Sequence, residues 1–183
     1  MTQTYIALIR AIGPLTHARM PMASLREACT EAGFTDVSTV LATGNVLFRA
    51  GGGRKAVLAR LRTIVDGFGL DNAVVLRTPA EIEQIVSANP FPDAVARGSE
   101  FAVFFLAEPA KDTDWMAGLT GPERLHLEGI DLYVDYSGGV SASPLTPAKI
   151  EKRLGVVTTF RNWNTVMKLH AAAGKLGEKA QEQ

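Results

Sequence analysis

In the first 76 residues the hydrophobic pattern changes period repeatedly, and no other feature constrains the fold as tightly. Tyr5-Ile6-Ala7-Leu8-Ile9 is a short apolar run with β-branched residues, the mark of a covered strand. A loop with Gly13 and Pro14 follows. From about Pro21 the period lengthens, and Leu25, Ala28, Cys29 and Ala32 fall on one face of a helix that Gly33 ends. Val37–Leu41 and Asn45–Arg49 read as two strands. Thr43-Gly44-Asn45 between them predicts a tight hairpin with Gly44 at positive φ. After a flexible joint, Gly51-Gly52-Gly53, the residues Val57, Leu58, Leu61, Ile64, Val65 and Phe68 form the cleanest helical stripe in the chain, and Ala73–Leu76 is a fourth strand. The order β-α-β-β-α-β predicts an α+β chain that opens with a ferredoxin-like plait, two helices over one face of an antiparallel sheet.

A third helix starts at Thr78-Pro79-Ala80-Glu81, which combines an N-cap Thr, a Pro at the first helical position and a Glu three residues after the cap. Asn89-Pro90-Phe91-Pro92 ends it, because a residue before Pro avoids the helical region. A boundary there divides the chain into a ferredoxin-like subdomain with an appended helix (1–88), a second small α+β subdomain (89–176) and a polar tail (177–183) expected to fray. In the second subdomain Phe101–Leu106 is wholly apolar and predicts a central strand, and Thr113–Gly118 predicts a short helix. Arg124–Glu128 and Leu132–Tyr136 alternate around Gly129, which predicts a hairpin with one wet face per strand. Ser137–Ser143 reads as a polar loop. Thr146-Pro147 starts a helix that Gly155 ends, with Leu145 placed to staple onto Ile150. The last predicted helix contains Asn162–Ala173. No internal repeat is visible in the sequence.

Composition narrows the function classes. Lys and Arg number 19, as do Asp and Glu, and a net charge of zero argues against a dedicated nucleic-acid binder. The single cysteine excludes internal disulfides and fits a reducing cytoplasm. No stretch approaches the roughly 20 apolar residues of a membrane span, and Arg10 interrupts the first apolar run, so no secretory signal is expected. Charge is uneven: residues 137–183 carry seven basic and three acidic side chains.

Few residues suggest catalysis. His17, His126 and His170 are far apart and lack second ligands at metal-binding spacing, so neither a metal nor a cofactor is expected. Cys29 shares a helix face with Leu25, which predicts a buried, inert thiol. Gly51-Gly52-Gly53-Arg54-Lys55 lacks the spacing of a phosphate loop and reads as a connector. Tyr5 and Phe48 are the only aromatic residues in the first and third strands, and the aromatic pattern of an RNA-recognition sheet is absent. Carboxylates, Asp131 and Asp135 among them, fall on positions read as solvent-facing, so no acid–base pair is apparent.

The most unusual string is Arg161-Asn162-Trp163-Asn164-Thr165, which sets amides, a hydroxyl and a guanidinium around a Trp near a helix start. Helix starts attract anions through free N–H groups and the helix dipole. The structural alternative is that Asn162 or Thr159 caps the helix and Arg161 ties the subdomains together. Val166, His170 and Ala173 follow Trp163 at helical spacing, so Trp163 is expected to be buried at the base of the last helix.

Several strings together resemble the bacterial domain-of-unknown-function family 1697: Tyr5–Ile12, Pro21–Arg26, Thr43–Phe48, Asn89-Pro90-Phe91 and Arg161–Val166. The resemblance implies a small cytosolic α+β protein of two subdomains and no established activity. The family's usual first loop resembles Arg-Gly-Ile-Asn-Val-Gly-Gly, whereas this chain has Arg10-Ala11-Ile12-Gly13-Pro14-Leu15-Thr16-His17. Its Ser-Gly-Asn turn is Thr43-Gly44-Asn45 here, which keeps the hydroxyl. The expected function is a non-catalytic module binding a small anionic or nucleotide-like ligand in a cleft between the subdomains. Its candidate residues are Arg10, Thr43, Asn45, Arg161, Asn162, Asn164 and Thr165. The alternative is a structural or protein-interaction module acting as a homo-oligomer, a homodimer being the simplest. An enzyme of unknown reaction ranks third.

Overall fold

A computed structural model of the protein describes residues 2–181, with side chains for residues 2–177. It is a mixed α+β fold with two four-stranded antiparallel sheets. The chain divides into two compact units, Met1–Glu83 with Lys168–Gln183, and Gln84–Met167.

The first unit contains β1 (Thr2–Ile9), α1 (Pro14–Arg19), α2 (Met22–Glu31), β2 (Thr35–Thr39), β3 (Asn45–Gly51), α3 (Arg54–Gly67) and β4 (Val74–Arg77). Its sheet has the order β2-β3-β1-β4. Tyr5, Ala7 and Ile9 of β1 alternate along the strand and share a core with Val46 and Phe48 of β3. Leu25 and Cys29 of α2 and Val57, Leu61 and Val65 of α3 complete that core, so both predicted helical stripes are the buried ones. Burying each such aliphatic side chain contributes about 1.5–3 kcal/mol, more than the roughly 0.5 kcal/mol that a β-branched residue costs a helix. Tyr5 and Phe48 lie inside this core, with Phe34 stacked on Phe48 at 4.5 Å, so neither ring is open to a base.

The loop expected after β1 contains a helix, α1. Pro14 fits its first turn and the Thr16 hydroxyl accepts from the Gly13 N–H at 2.7 Å. No residue of α1 is buried, so the helix leaves no apolar stripe. Just before it, Ala11 has φ +53°, in the left-handed region. The family that this chain resembles usually has Gly at this position. An L-residue there strains the backbone and Gly does not. Ala11→Gly is therefore expected to raise stability by about 1 kcal/mol, read as a higher urea midpoint at unchanged slope. An unchanged or lower midpoint contradicts the strain.

The second unit is built from β5 (Phe101–Leu106), β6 (Arg124–Glu128), β7 (Asp131–Asp135), α5 (Pro147–Leu154) and β8 (Thr158–Asn162). Helices α4 (Pro79–Ser87) and α6 (Trp163–Gln181) each contain one of the divisions between the units. The sheet order is β6-β7-β5-β8. This is the order of the first sheet again: the first strand is central, the hairpin lies to one side and the last strand to the other. The sequence has no visible repeat, so the recurrence is one of topology.

Four further readings change. Strand β8 occupies a stretch with no strand expectation, and Asn162 ends that strand instead of lying in the helix. The hairpin does not have one wet face per strand. From Leu132 to Asp135 β7 is buried on both faces, because each face is covered: Leu132 and Val134 share a core with Ile150 and Leu154 of α5, and on the other face the Tyr133 hydroxyl donates to the Ile85 carbonyl of α4. The short helix expected over Thr113–Gly118 is a single 3-10 turn, Asp114–Met116. The stretch expected as a tail continues α6 as far as Gln181, and residues 182–183 lie outside the described residues. Helix α6 buries Trp163, Val166, Leu169 and Ala173, with His170 half-buried at the edge of the stripe and in contact with Glu83. Among the described residues no helix is long and apolar enough to cross a membrane.

Candidate functional site

The seven expected site residues fall into two groups, one in each unit. In the first unit Arg10, Thr43 and Asn45 gather where β1 ends beside the β2–β3 turn. The Ile9 N–H donates to the Gly44 carbonyl at 2.8 Å, and the Arg10 N–H donates to the Ala73 carbonyl at 2.8 Å. Asn45 is wholly buried. Its amide donates to the Thr43 hydroxyl and to the Val40 carbonyl, each at 2.9 Å, so the hydroxyl kept at position 43 braces the turn. Gly44 has φ +74°, and a Cβ there would stand 2.5 Å from Ile12 Cγ1 and 3.0 Å from the Ile9 carbonyl oxygen. Only glycine fits both the φ and the space.

In the second unit Arg161, Asn162, Asn164 and Thr165 gather at the β8–α6 junction. Arg161 is 9% exposed, and burial pushes its guanidinium down to about 10. Its Nη1 donates to the Thr159 hydroxyl at 3.0 Å and to the Phe160 carbonyl at 2.8 Å. Asn162 Oδ1 accepts from the Thr165 N–H and from the Thr165 hydroxyl, both at 2.9 Å, which makes Asn162 the N-cap of α6. Asn164 is exposed, and its amide lies over Gly98, whose missing side chain leaves the space. Trp163 is 3% exposed and stacks on Phe101 at 4.7 Å, and its indole N–H has no acceptor among the described residues.

The sequence reading missed a charged cluster in the second unit. Asp135 is 0% exposed, not solvent-facing, because that face of β7 is covered as well. Its Oδ2 accepts from Arg97 Nη2 at 3.0 Å, from Arg124 Nε at 3.0 Å and from Arg124 Nη2 at 2.6 Å. The Ser137 N–H donates to Oδ1 at 3.1 Å. Burial pushes the Asp135 carboxyl up. The Arg124 and Ser137 hydrogen bonds and the charge of Arg97 outweigh it and hold the group below the usual carboxylate range. Arg124 also grips Asp93 through two bonds at 3.1 and 2.6 Å and lies 4.7 Å over the Phe91 ring. One sequence signal bore on this cluster: Arg124 and Asp135 stand directly opposite in the hairpin register.

The carboxyls of Asp93, Asp135 and Glu81 are all lowered. Burial pushes the Cys29 thiol up to about 11 and the Tyr133 hydroxyl up to about 12. These shifts lead away from neutrality, whereas that of the Arg161 guanidinium leads towards it. Among the described residues no group of three His, Cys, Asp or Glu is arranged to hold a metal ion.

A family model described as a protein of unknown function (DUF1697) matches residues 1–133. No curated protein matches the chain. Among solved structures it is similar to the conserved bacterial protein SP0830 from Streptococcus pneumoniae. The identity is 18% and the TM-score 0.70, over 95% of this chain and 99% of that one. At that identity the likeness concerns the fold alone.

Proposed function

The chain belongs to the DUF1697 family of proteins of unknown function, and from that premise we propose that it is a non-catalytic module binding a small anion at the β8–α6 junction. The strand order β2-β3-β1-β4, with α2 and α3 in the two crossovers, supports reading the first unit as a ferredoxin-like plait.

One observation carries the reading. A guanidinium about nine-tenths buried, Arg161, stands two residues before a 19-residue helix whose first turn holds no acidic residue. The positive end of a helix dipole favours an anion nearby. Exposed Asn164 adds a side-chain amide at the same helix start.

Thermal unfolding in phosphate and in nucleoside phosphates, against chloride at matched ionic strength, tests this. A ligand at about 100 times its Kd stabilises by about 2.7 kcal/mol, a rise of several degrees. Asn164→Ala should weaken the response with little change in baseline Tm, and Arg161→Gln should abolish it. Identical melting in every salt overturns the reading.

A further inference from the structure

We propose that the free edge of β2 takes an extended peptide as an added strand of the first sheet, with a basic side chain of that peptide seated between Glu27 and Glu31 of α2. The surface lies wholly within the first unit and involves no residue of the β8–α6 junction.

β2 stands at the end of the order β2-β3-β1-β4, so among the described residues β3 is its one strand neighbour. An edge of this kind leaves backbone N–H and C=O groups outside the ladder, and an extended chain pairs with them. Thr35, Asp36 and Ser38 are exposed, whereas β4 at the opposite edge is buried throughout. The register shifts between Thr35 and Ser38, and Asp36 has φ +52°. A bulge re-aims side chains, and Val37 within it lines a groove of about 370 Å³. The other lining residues, Arg26, Glu27 and Glu31 among them, lie on α2. Arg26 Nη1 donates to the Thr39 hydroxyl at 2.8 Å, which ties the helix to the end of the strand.

Charge decides which chain fits. Glu27 and Glu31 are exposed and stand four residues apart on α2, and among the described residues neither has an ion-pair or hydrogen-bond partner for its side chain. Like charges at that spacing repel. Glu31 is also the last residue of α2, whose last turn carries no basic residue, so its charge adds to the negative end of the helix dipole. Both effects favour a cation between the two carboxylates. A lysine or arginine of the added strand supplies it, while the backbone of that strand supplies the ladder. A symmetric contact between two copies at this edge would set acid against acid, and the bulge blunts the edge against flat sheet-to-sheet pairing. Both points favour a separate basic peptide over a second copy.

The test uses the full chain and labelled peptides capped at both ends. One alternates lysine and threonine. A second has glutamate in place of lysine, and a third keeps the lysines but has proline in place of threonine, which removes N–H donors at constant charge. The lysine–threonine peptide should raise anisotropy on binding and shift the amide resonances of Thr35–Thr39, and the other two should do neither. Glu27→Gln combined with Glu31→Gln should weaken binding about fivefold. Its Tm should be unchanged or higher, because both positions are exposed and the change removes a repulsion. Equal binding of the proline peptide overturns strand addition. Equal binding of the glutamate peptide, or undiminished binding to the double variant, overturns the basic side chain between Glu27 and Glu31. No binding of any peptide overturns the proposal. So does dimerisation that shifts the β2 amides with no peptide present, which assigns the edge to a second copy.

Discussion

Trp163→Ala is expected to lower the unfolding free energy by about 3–5 kcal/mol, the range for truncating a large buried aromatic. Trp163 is almost fully buried and stacks on Phe101, itself wholly buried on the central strand β5. Removing the indole leaves a void against a strand that pairs on both sides, with β7 and with β8, and such a strand relaxes poorly into a void. The unpartnered N–H moves the cost towards the lower end, because its loss relieves a buried donor. Trp163→Phe should accordingly cost far less than the alanine change. Urea unfolding at pH 7 measures both, and a loss below about 1 kcal/mol, the level of a surface change, would contradict the packing.

Asp135→Asn is expected to cost about 2–4 kcal/mol at pH 7, from the charge-assisted bonds to Arg97 and Arg124 that it weakens. The figure stays below that of a fully buried pair because both arginine side chains are 40% exposed and recover hydration. The pH dependence follows from the direction of the shift. Asp135 is held below its ordinary value, so its contribution is complete above the unfolded-state value near 3.9 and is lost as pH falls through the lower folded value. The variant has no proton to take up there. Its deficit relative to the parent chain should therefore shrink as pH falls through that window, and a deficit that stays constant from pH 7 into the acid range would refute the ion-pair account.

Elements with an apolar face or a cap were legible. The Val57–Phe68 stripe, the Gly44 turn and the Thr78–Glu81 capping box all lie in the structure where the local signals put them. The elements that escaped lack such signals. Helix α1 buries nothing, and β8 is Thr-Thr-Phe-Arg-Asn, in which the exposed residue is Phe160 and the buried ones are polar. That inversion hides a strand from any reading of period. Asp135 escapes because alternation assigns faces and says nothing of what covers each face. The site fared similarly. The seven residues assemble as two local groups. Most of their visible bonds brace a turn or cap a helix, a division of labour that residue types alone do not disclose.

The first unit is discontinuous: it takes in both Met1–Glu83 and Lys168–Gln183, with the whole second unit between them. During synthesis its complete sheet leaves the ribosome long before the latter part of α6, which belongs to the same unit. The second unit meanwhile has all its strands by Asn162. Order of emergence and order of completion are thus reversed, and the half made first is the half that must wait. A unit still missing a helix exposes apolar surface, and such nascent chains are prone to aggregate. That exposure lasts for about 5–10 s of elongation at 10–20 residues per second, and it ends only when the last helix arrives.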